Sequence, residues 1–251
     1  MSVKIAILIV GEYRTFAKCR KTMFFLDQKD IDKDIYISTW NVTNTINPIS
    51  LNNTKFKNYT PVYREVSKEE IINDIRVPAT ISINTPIKNG IPPIINGWNL
   101  GINLIKKSNI HYDYVLMYRP DTYFNNNNNG QNWLNSKILV NNLGDYKFSI
   151  GVRMPMTSRV EHLCDQLYFS TYENMEKILG DRFYSYFIEY GQTELWHILL
   201  YNYIVRHLKL KIKQPPLGST QYVIAREPMS DEDTYDIVES RWWKWFHENS
   251  V

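Results

Sequence analysis

An α/β fold with a mostly parallel sheet flanked by helices is what this sequence predicts, and three observations predict it. Residues 3–10 form a run that is apolar but for Lys4 and stops at Gly11, the pattern of a strand buried on both faces. Residues 112–118 read as a second buried strand, apolar but for Asp113 and stopped by Arg119-Pro120-Asp121. Between them, strand-like and helix-like patterns alternate, as βαβ units require.

In order, Phe16, Cys19, Met23 and Leu26 fall at helical spacing over residues 15–26. A short strand over 35–39 ends at Trp40, and the Asn-rich 41–59 stretch reads as a long loop. Residues 61–66 read as a third strand. Ser67-Lys68-Glu69-Glu70 then forms a capping box, opening a helix that must stop near Pro78. Pro86, Gly90, Pro92 and Pro93 mark an irregular connection before a helix over 94–107. In the second half, strands are expected at 148–152 and 167–170. A second capping box at 170–173 starts a helix that Gly180 stops. A helix over 193–207 follows, with further strands at 208–213 and 222–226.

Composition narrows the function classes. Twenty-nine basic residues against 26 acidic ones leave a net charge of +3, too little for a dedicated nucleic-acid binder. The most basic stretch, Arg206 to Lys213, alternates like a strand with one solvated face. Cys19 and Cys164 are far apart and have no metal-ligand spacing, which points to reduced thiols. There is no apolar run of membrane-spanning length, and the start turns polar too soon for a signal peptide. These readings give a cytoplasmic expectation, with no nucleic-acid partner and no transmembrane segment.

Chemistry-bearing residues gather at strand ends, where ligands of parallel sheets sit. Arg119 and Asp121 follow the second apolar run. An Asp oxygen there suits Mg²⁺ or Mn²⁺ bridging to phosphate, while the same pair also reads as an ion pair capping a turn. Gly11 permits close backbone approach to a ligand, and Arg14 can pair with a phosphate bidentately. No G-x-G-x-x-G and no G-x-x-x-x-G-K-[ST] occurs, so dinucleotide and P-loop enzymes lack their phosphate loop.

Three segments carry a resemblance. These are Ile5 to Phe16 with its Gly-x-x-Arg-Thr-Phe turn, Ile35 to Trp40 ending in Thr-Trp, and Tyr112 to Phe124 with its Tyr-Asp-hydrophobic-Arg-x-Asp pattern. Asp165 to Phe169 and Glu194-Leu195 add weaker matches. Together they resemble the GT-A-like glycosyltransferases of bacterial polysaccharide loci, the WavE-like group, and related enzymes of large DNA viruses. The resemblance implies a nucleoside-diphosphate-sugar donor and a glycan acceptor. It places Gly11, Arg14, Thr39, Trp40, Arg119 and Asp121 around the donor, with Thr39 and Trp40 near the base. It also implies Asp121 as ligand of Mn²⁺ or Mg²⁺. Asp165 and Glu194 become the candidate catalytic acids, one taking the acceptor proton or stabilising a cation-like sugar. The departure is Arg119, which stands where the first Asp of an Asp-x-Asp motif would be.

The expected organisation is one domain over 1–251, with a nucleotide-binding half to about residue 124 and an acceptor-side half after it. The missing first Asp keeps a second reading open, a non-catalytic nucleotide- or glycan-binding module on the same fold. A nucleotidyltransferase would want a Gly-rich basic loop after the first strand, where Gly11-Glu12-Tyr13-Arg14 supplies one Gly.

Overall fold

The computed structural model describes residues 3–29, 31–44, 63–87, 90–124, 148–150, 167–191, 196–213 and 222–224. Its centre is β1 (Lys4–Gly11), which is apolar after Lys4 because both its faces are covered there. Ile5, Ile7 and Ile9 enter one core with Phe16 and Cys19 of α1 (Phe16–Arg20) and Ile71 and Ile75 of α2 (Lys68–Ile75). Ala6, Leu8 and Val10 enter the other with Trp98, Ile102 and Ile105 of α3 (Pro93–Lys107). The period of two along a strand sends alternate residues to opposite layers.

Both edges of β1 are paired as well. On one side β2 (Asp32–Trp40) runs parallel, from Lys4 opposite Asp32 to Gly11 opposite Thr39. On the other β6 (Tyr114–Tyr118) runs parallel, from Ile5 opposite Tyr114 to Ile9 opposite Tyr118. The seven-stranded sheet has the order β10-β8-β9-β6-β1-β2-β5. Here β5 is Thr80–Asn84, β8 Phe148–Ile150, β9 Leu167–Thr171 and β10 Ile212–Lys213. Within it β9 is antiparallel to its neighbours β6 and β8, and the remaining pairings are parallel. The chain moves outward from β1 to β2 and β5, and α3 then carries it back across β1 to β6. Strand order therefore reverses between β1 and β6, the switch point where such sheets bind ligands.

Two glycines let α3 lie close to the sheet. A Cβ on Gly101 would stand 3.0 Å from Leu8 Cδ1, and one on Gly97 would stand 3.4 Å from Val10 Cγ2. Between them Trp98 is fully buried, in edge contact with Tyr168 and Trp196 at ring-centroid distances of 5.6 and 5.7 Å.

At the amino end of the sheet Tyr36 and Tyr112 share a 2.6 Å hydroxyl contact, Tyr112 donates to Asp34 at 2.7 Å, and Lys4 pairs with Asp34 at 3.1 Å. Burial pushes the Asp34 carboxyl up, but the Tyr112 hydrogen bond and the Lys4 ammonium outweigh it and hold the group below its ordinary value.

Several elements differ from the sequence reading. The apolar pattern over 15–26 becomes α1 followed by a 3₁₀ turn at Phe24–Leu26. The strand expected at 61–66 is β4 (Tyr63–Glu65), which pairs antiparallel with β3 (Val42–Asn44) in a separate ribbon. Between Pro78 and Pro86, where the sequence reading assigned no element, lies β5, which pairs with β2 and extends the sheet. Ser67 caps α2 as expected, accepting from the Glu70 N–H at 3.1 Å. The second cap is Thr171, which accepts from the Asn174 N–H at 3.4 Å and opens α4 (Tyr172–Leu179). Gly180 stops α4 but serves at once as N-cap of α5 (Asp181–Tyr190), which the sequence reading did not contain. The helix expected over 193–207 is α6 (Trp196–Tyr201) continued by a π-helical turn, Asn202–His207. The basic stretch after it is split between that turn, a left-handed Lys209 at φ 54° and the short β10. Among the described residues no helix is long and apolar enough to cross a membrane.

The Trp98 indole N–H is buried with no hydrogen-bond partner among the described residues. Trp98→Ala should destabilise the protein by about 3–5 kcal/mol in urea unfolding. Trp98→Phe keeps much of the ring volume and removes the unsatisfied donor, so it should lose clearly less.

Candidate functional site at the switch point

Parallel pairing brings the ends of β1, β2, β5 and β6 to one edge of the sheet. Gly11 ends β1 at φ 135°, a conformation that side chains rarely adopt. A Cβ there would also stand 3.3 Å from Pro120 Cδ, so the ends of β1 and β6 touch through a position that only glycine fills without strain. Thr39 Oγ1 donates to the Gly11 carbonyl at 2.7 Å. In turn Asn84 Nδ2 donates to the Thr39 carbonyl at 3.1 Å and to Ser38 Oγ at 3.2 Å, and Ser82 Oγ donates to Asn84 Oδ1 at 3.0 Å. The ends of β1, β2 and β5 are thus locked by side chain to backbone.

Beyond β6 the chain turns, with the Thr122 N–H donating to the Arg119 carbonyl at 3.1 Å. The turn buries Asp121, only 1% exposed, beneath Arg119, which is 17% exposed. Arg119 Nε donates to Asp121 Oδ1 and Nη2 to Asp121 Oδ2, both at 2.9 Å, a bidentate fork. Arg14, 11% exposed, reaches the same carboxylate from the loop after β1, with Nη1 4.0 Å from Asp121 Oδ2. Its Nε donates to Glu12 Oε2 at 2.6 Å. Two guanidiniums and two carboxylates therefore meet where strand order reverses.

Several buried polar atoms here have no hydrogen-bond partner among the described residues: Arg14 Nη1, Thr122 Oγ1 and, just past the end of β2, Asn41 Oδ1 and Thr43 Oγ1. A buried polar group left unsatisfied costs about 1–3 kcal/mol. Such atoms concentrated at one sheet edge are therefore a signal of a missing ligand.

Tyr13, between Glu12 and Arg14, points away from this cluster. It is buried, and its hydroxyl donates to Asp74 Oδ2 on α2 at 2.7 Å. Burial, reinforced by Asp74, raises its pKa far above the ordinary phenol value, so the group remains a donor. Anchoring Tyr13 to α2 fixes the loop that presents Arg14.

The structure brings together five of the residues expected around a donor: Gly11, Arg14, Thr39, Arg119 and Asp121. Thr39 spends its hydroxyl on Gly11. Trp40 is 4% exposed, and its ring reaches within 3.5 Å of where a Gly97 Cβ would stand, so it seals β2 against α3. Asp165 and Glu194 lie outside the described residues, as do His162, His247, Trp242, Trp243 and Trp245. Glu12 and Asn84 escaped the sequence reading. Glu12 was legible as an acid two residues before Arg14, whereas Asn84 became visible only once β5 was recognised as a strand.

The donor set around Asp121 does not fit a resident divalent cation. Both its oxygens accept from one guanidinium, and a second guanidinium stands at 4.0 Å. A dication would have to share one negative charge with two cations. Among the described residues no group of three His, Cys, Asp or Glu side chains is placed to hold a metal. Elsewhere a depression of about 350 Å³ lies between α3, α4 and α5. Among its lining charges, Lys106 pairs with Glu176 at 2.9 Å and Lys177 with Glu173 at 2.5 Å.

No protein-family model and no curated protein sequence matches the chain. The solved structures similar to it in part include the following two. The glycosyltransferase GlyE of Streptococcus pneumoniae shares 8% identity over 86% of this chain, at a TM-score of 0.46. The chain spans 45% of that protein's length. A nucleoside-diphosphate-sugar pyrophosphorylase of Vibrio cholerae shares 11% identity over 94% of this chain and 100% of its own, also at a TM-score of 0.46.

Gly11→Ala tests the geometry of the switch point. The positive φ and the Pro120 contact should make it destabilising by about 1 kcal/mol or more in denaturant titration. Adding a methyl to an ordinary strand position would not reproduce that loss.

Proposed function

We propose that this chain is a glycosyltransferase that takes a nucleoside-diphosphate sugar at the β1/β6 switch point and passes the sugar to a glycan hydroxyl. The observation that carries the reading is the buried Nη1 of Arg14, without a hydrogen-bond partner among the described residues and set beside Arg119 and Asp121 where a parallel sheet binds its ligands. The chemistry matches the cluster. The acceptor oxygen forms a bond to the anomeric carbon, and the bond from that carbon to the β-phosphate oxygen breaks. The electron pair leaves with the diphosphate, whose gain in charge Arg14 and Arg119 offset. The acceptor proton passes to a carboxylate, for which Asp165 and Glu194 are the candidates. The nucleoside lies along the ends of β2 and β5, where Asn41 Oδ1 and Thr43 Oγ1 are unpartnered. The residues after about 124 supply the acceptor side. The resemblance of the Gly11–Phe16, Thr39–Trp40 and Arg119–Asp121 segments to GT-A-like transferases supports the same reading.

Arg14→Ala tests it. A hydrogen bond to a charged group contributes about 1.5–3 kcal/mol, so the variant should bind a nucleoside diphosphate about tenfold or more weakly. Binding of the corresponding nucleoside should be unchanged. Calorimetry with uridine and guanosine ligands makes the comparison, and equal losses for nucleoside and diphosphate would remove Arg14 from a phosphate site. Slow release of free sugar from a donor separates a transferase from a binding module, which should release none.

A further inference from the structure

We infer that this site neutralises the diphosphate with two guanidiniums and needs no divalent cation, Asp121 serving as a positioning residue for Arg119 and not as a metal ligand. The inference rests on the diphosphate site proposed above and states what that site uses in place of a metal.

Three observations carry it. First, the Asp121 carboxylate is committed. Each oxygen accepts a 2.9 Å hydrogen bond from the same guanidinium, in the planar match that arginine makes with carboxylates. A hard cation favours a carboxylate whose charge is not already matched, and Asp121 has Arg119 in the fork and Arg14 at 4.0 Å. Second, Asp121 at 1% exposure lies deeper than Arg119 at 17%, so the carboxylate is the inner member of the pair. That arrangement suits a carboxylate that orients a cation better than one that presents its oxygens to a ligand. Third, Arg14 Nη1 is buried with no hydrogen-bond partner among the described residues, Asp121 Oδ2 standing at 4.0 Å, while its Nε is held by Glu12 at 2.6 Å. The arginine is fixed at one nitrogen and unsatisfied at another, and an anionic oxygen is the group that completes it.

Arg14, from the loop after β1, and Arg119, after β6, both reach the Asp121 carboxylate. The charge that develops on the leaving diphosphate meets fixed cations that do not have to be recruited with the donor. Arg119, standing where related transferases carry the first acid of their metal motif, is then a substitution of one counter-charge for another.

The test uses the full chain and calorimetry with the diphosphates of uridine, guanosine, cytidine and thymidine, each in EDTA and again in Mn²⁺. The diphosphate that binds should do so with affinities within about threefold of each other in the two buffers. Binding that needs Mn²⁺, or tightens by more than about tenfold with it, would overturn the inference and leave the diphosphate site standing. Failure of every diphosphate in both buffers would remove the site and the inference together. Asp121→Asn then separates positioning from ligation. With Arg119 released from its fork, diphosphate binding in EDTA should weaken by about tenfold, with nucleoside binding unchanged. A metal ligand would leave the EDTA affinity untouched and abolish only an effect of Mn²⁺. Circular dichroism reports whether Asp121→Asn folds. If it does not, Arg119→Lys, which keeps the charge and loses the fork, should show the same selective loss in EDTA.

Discussion

A strand that is paired on both edges and buried on both faces has no freedom left, and β1 is in that position. Its backbone bonds go to β2 and β6, and its side chains fill two separate cores. Everything functional in the proposed reading hangs on where β1 stops. Gly11 ends it with a backbone angle that turns the chain out of the sheet, and the absence of a side chain there admits Pro120. The loop that follows is drawn to α2 by Tyr13 and to the switch point by Arg14. One rigid strand thus sets the position of the charges on both sides of the crossing.

The polar groups at that edge are held in two different ways. Thr39, Ser82 and Asn84 are satisfied and act as braces, tying three strand ends to one another. Arg14, Asn41, Thr43 and Thr122 each keep a buried atom without a hydrogen-bond partner among the described residues. Braces of the first kind make it possible to hold groups of the second kind in place without a ligand, because the rigidity comes from bonds that binding does not alter. Such preorganisation is what lets fixed charge lower a barrier without rearranging during the reaction.

The parts of this arrangement that were legible in the sequence are those fixed by local chemistry. β1 and β6 could be read because full burial leaves an uninterrupted apolar run, and Gly11, Arg14, Arg119 and Asp121 could be read because they stop those runs. Ser67 could be read as a cap from its spacing to Glu70. What stayed hidden depends on partners distant in sequence. Thr80–Asn84 alternates polar and apolar residues, but only briefly between two prolines, and it becomes a strand because β2 offers a free edge. Trp40 looked like a ligand wall at a strand end, and only the approach of Gly97 explains why it is buried. The capping box at 170–173 put the cap at Ser170, and the end of β9 moves it to Thr171 by carrying the strand to that residue. That Asp121 is gripped by a fork and not presented outward likewise depends on side-chain geometry that spacing does not specify.

The meeting of Arg14 with Asp121, and of Gly11 with Pro120, joins points about a hundred residues apart along the chain, and closing so long a loop is entropically slow to be repaid. β1 can pair with β2 soon after both exist, but its other edge stays open until β6 has been made. During synthesis the nascent chain therefore carries a long, apolar and unpaired strand edge for several seconds, at about 5–20 residues per second. The charged cluster is among the last parts of this half to assemble. A protein with this topology depends, more than its finished sheet suggests, on what shields β1 during that interval.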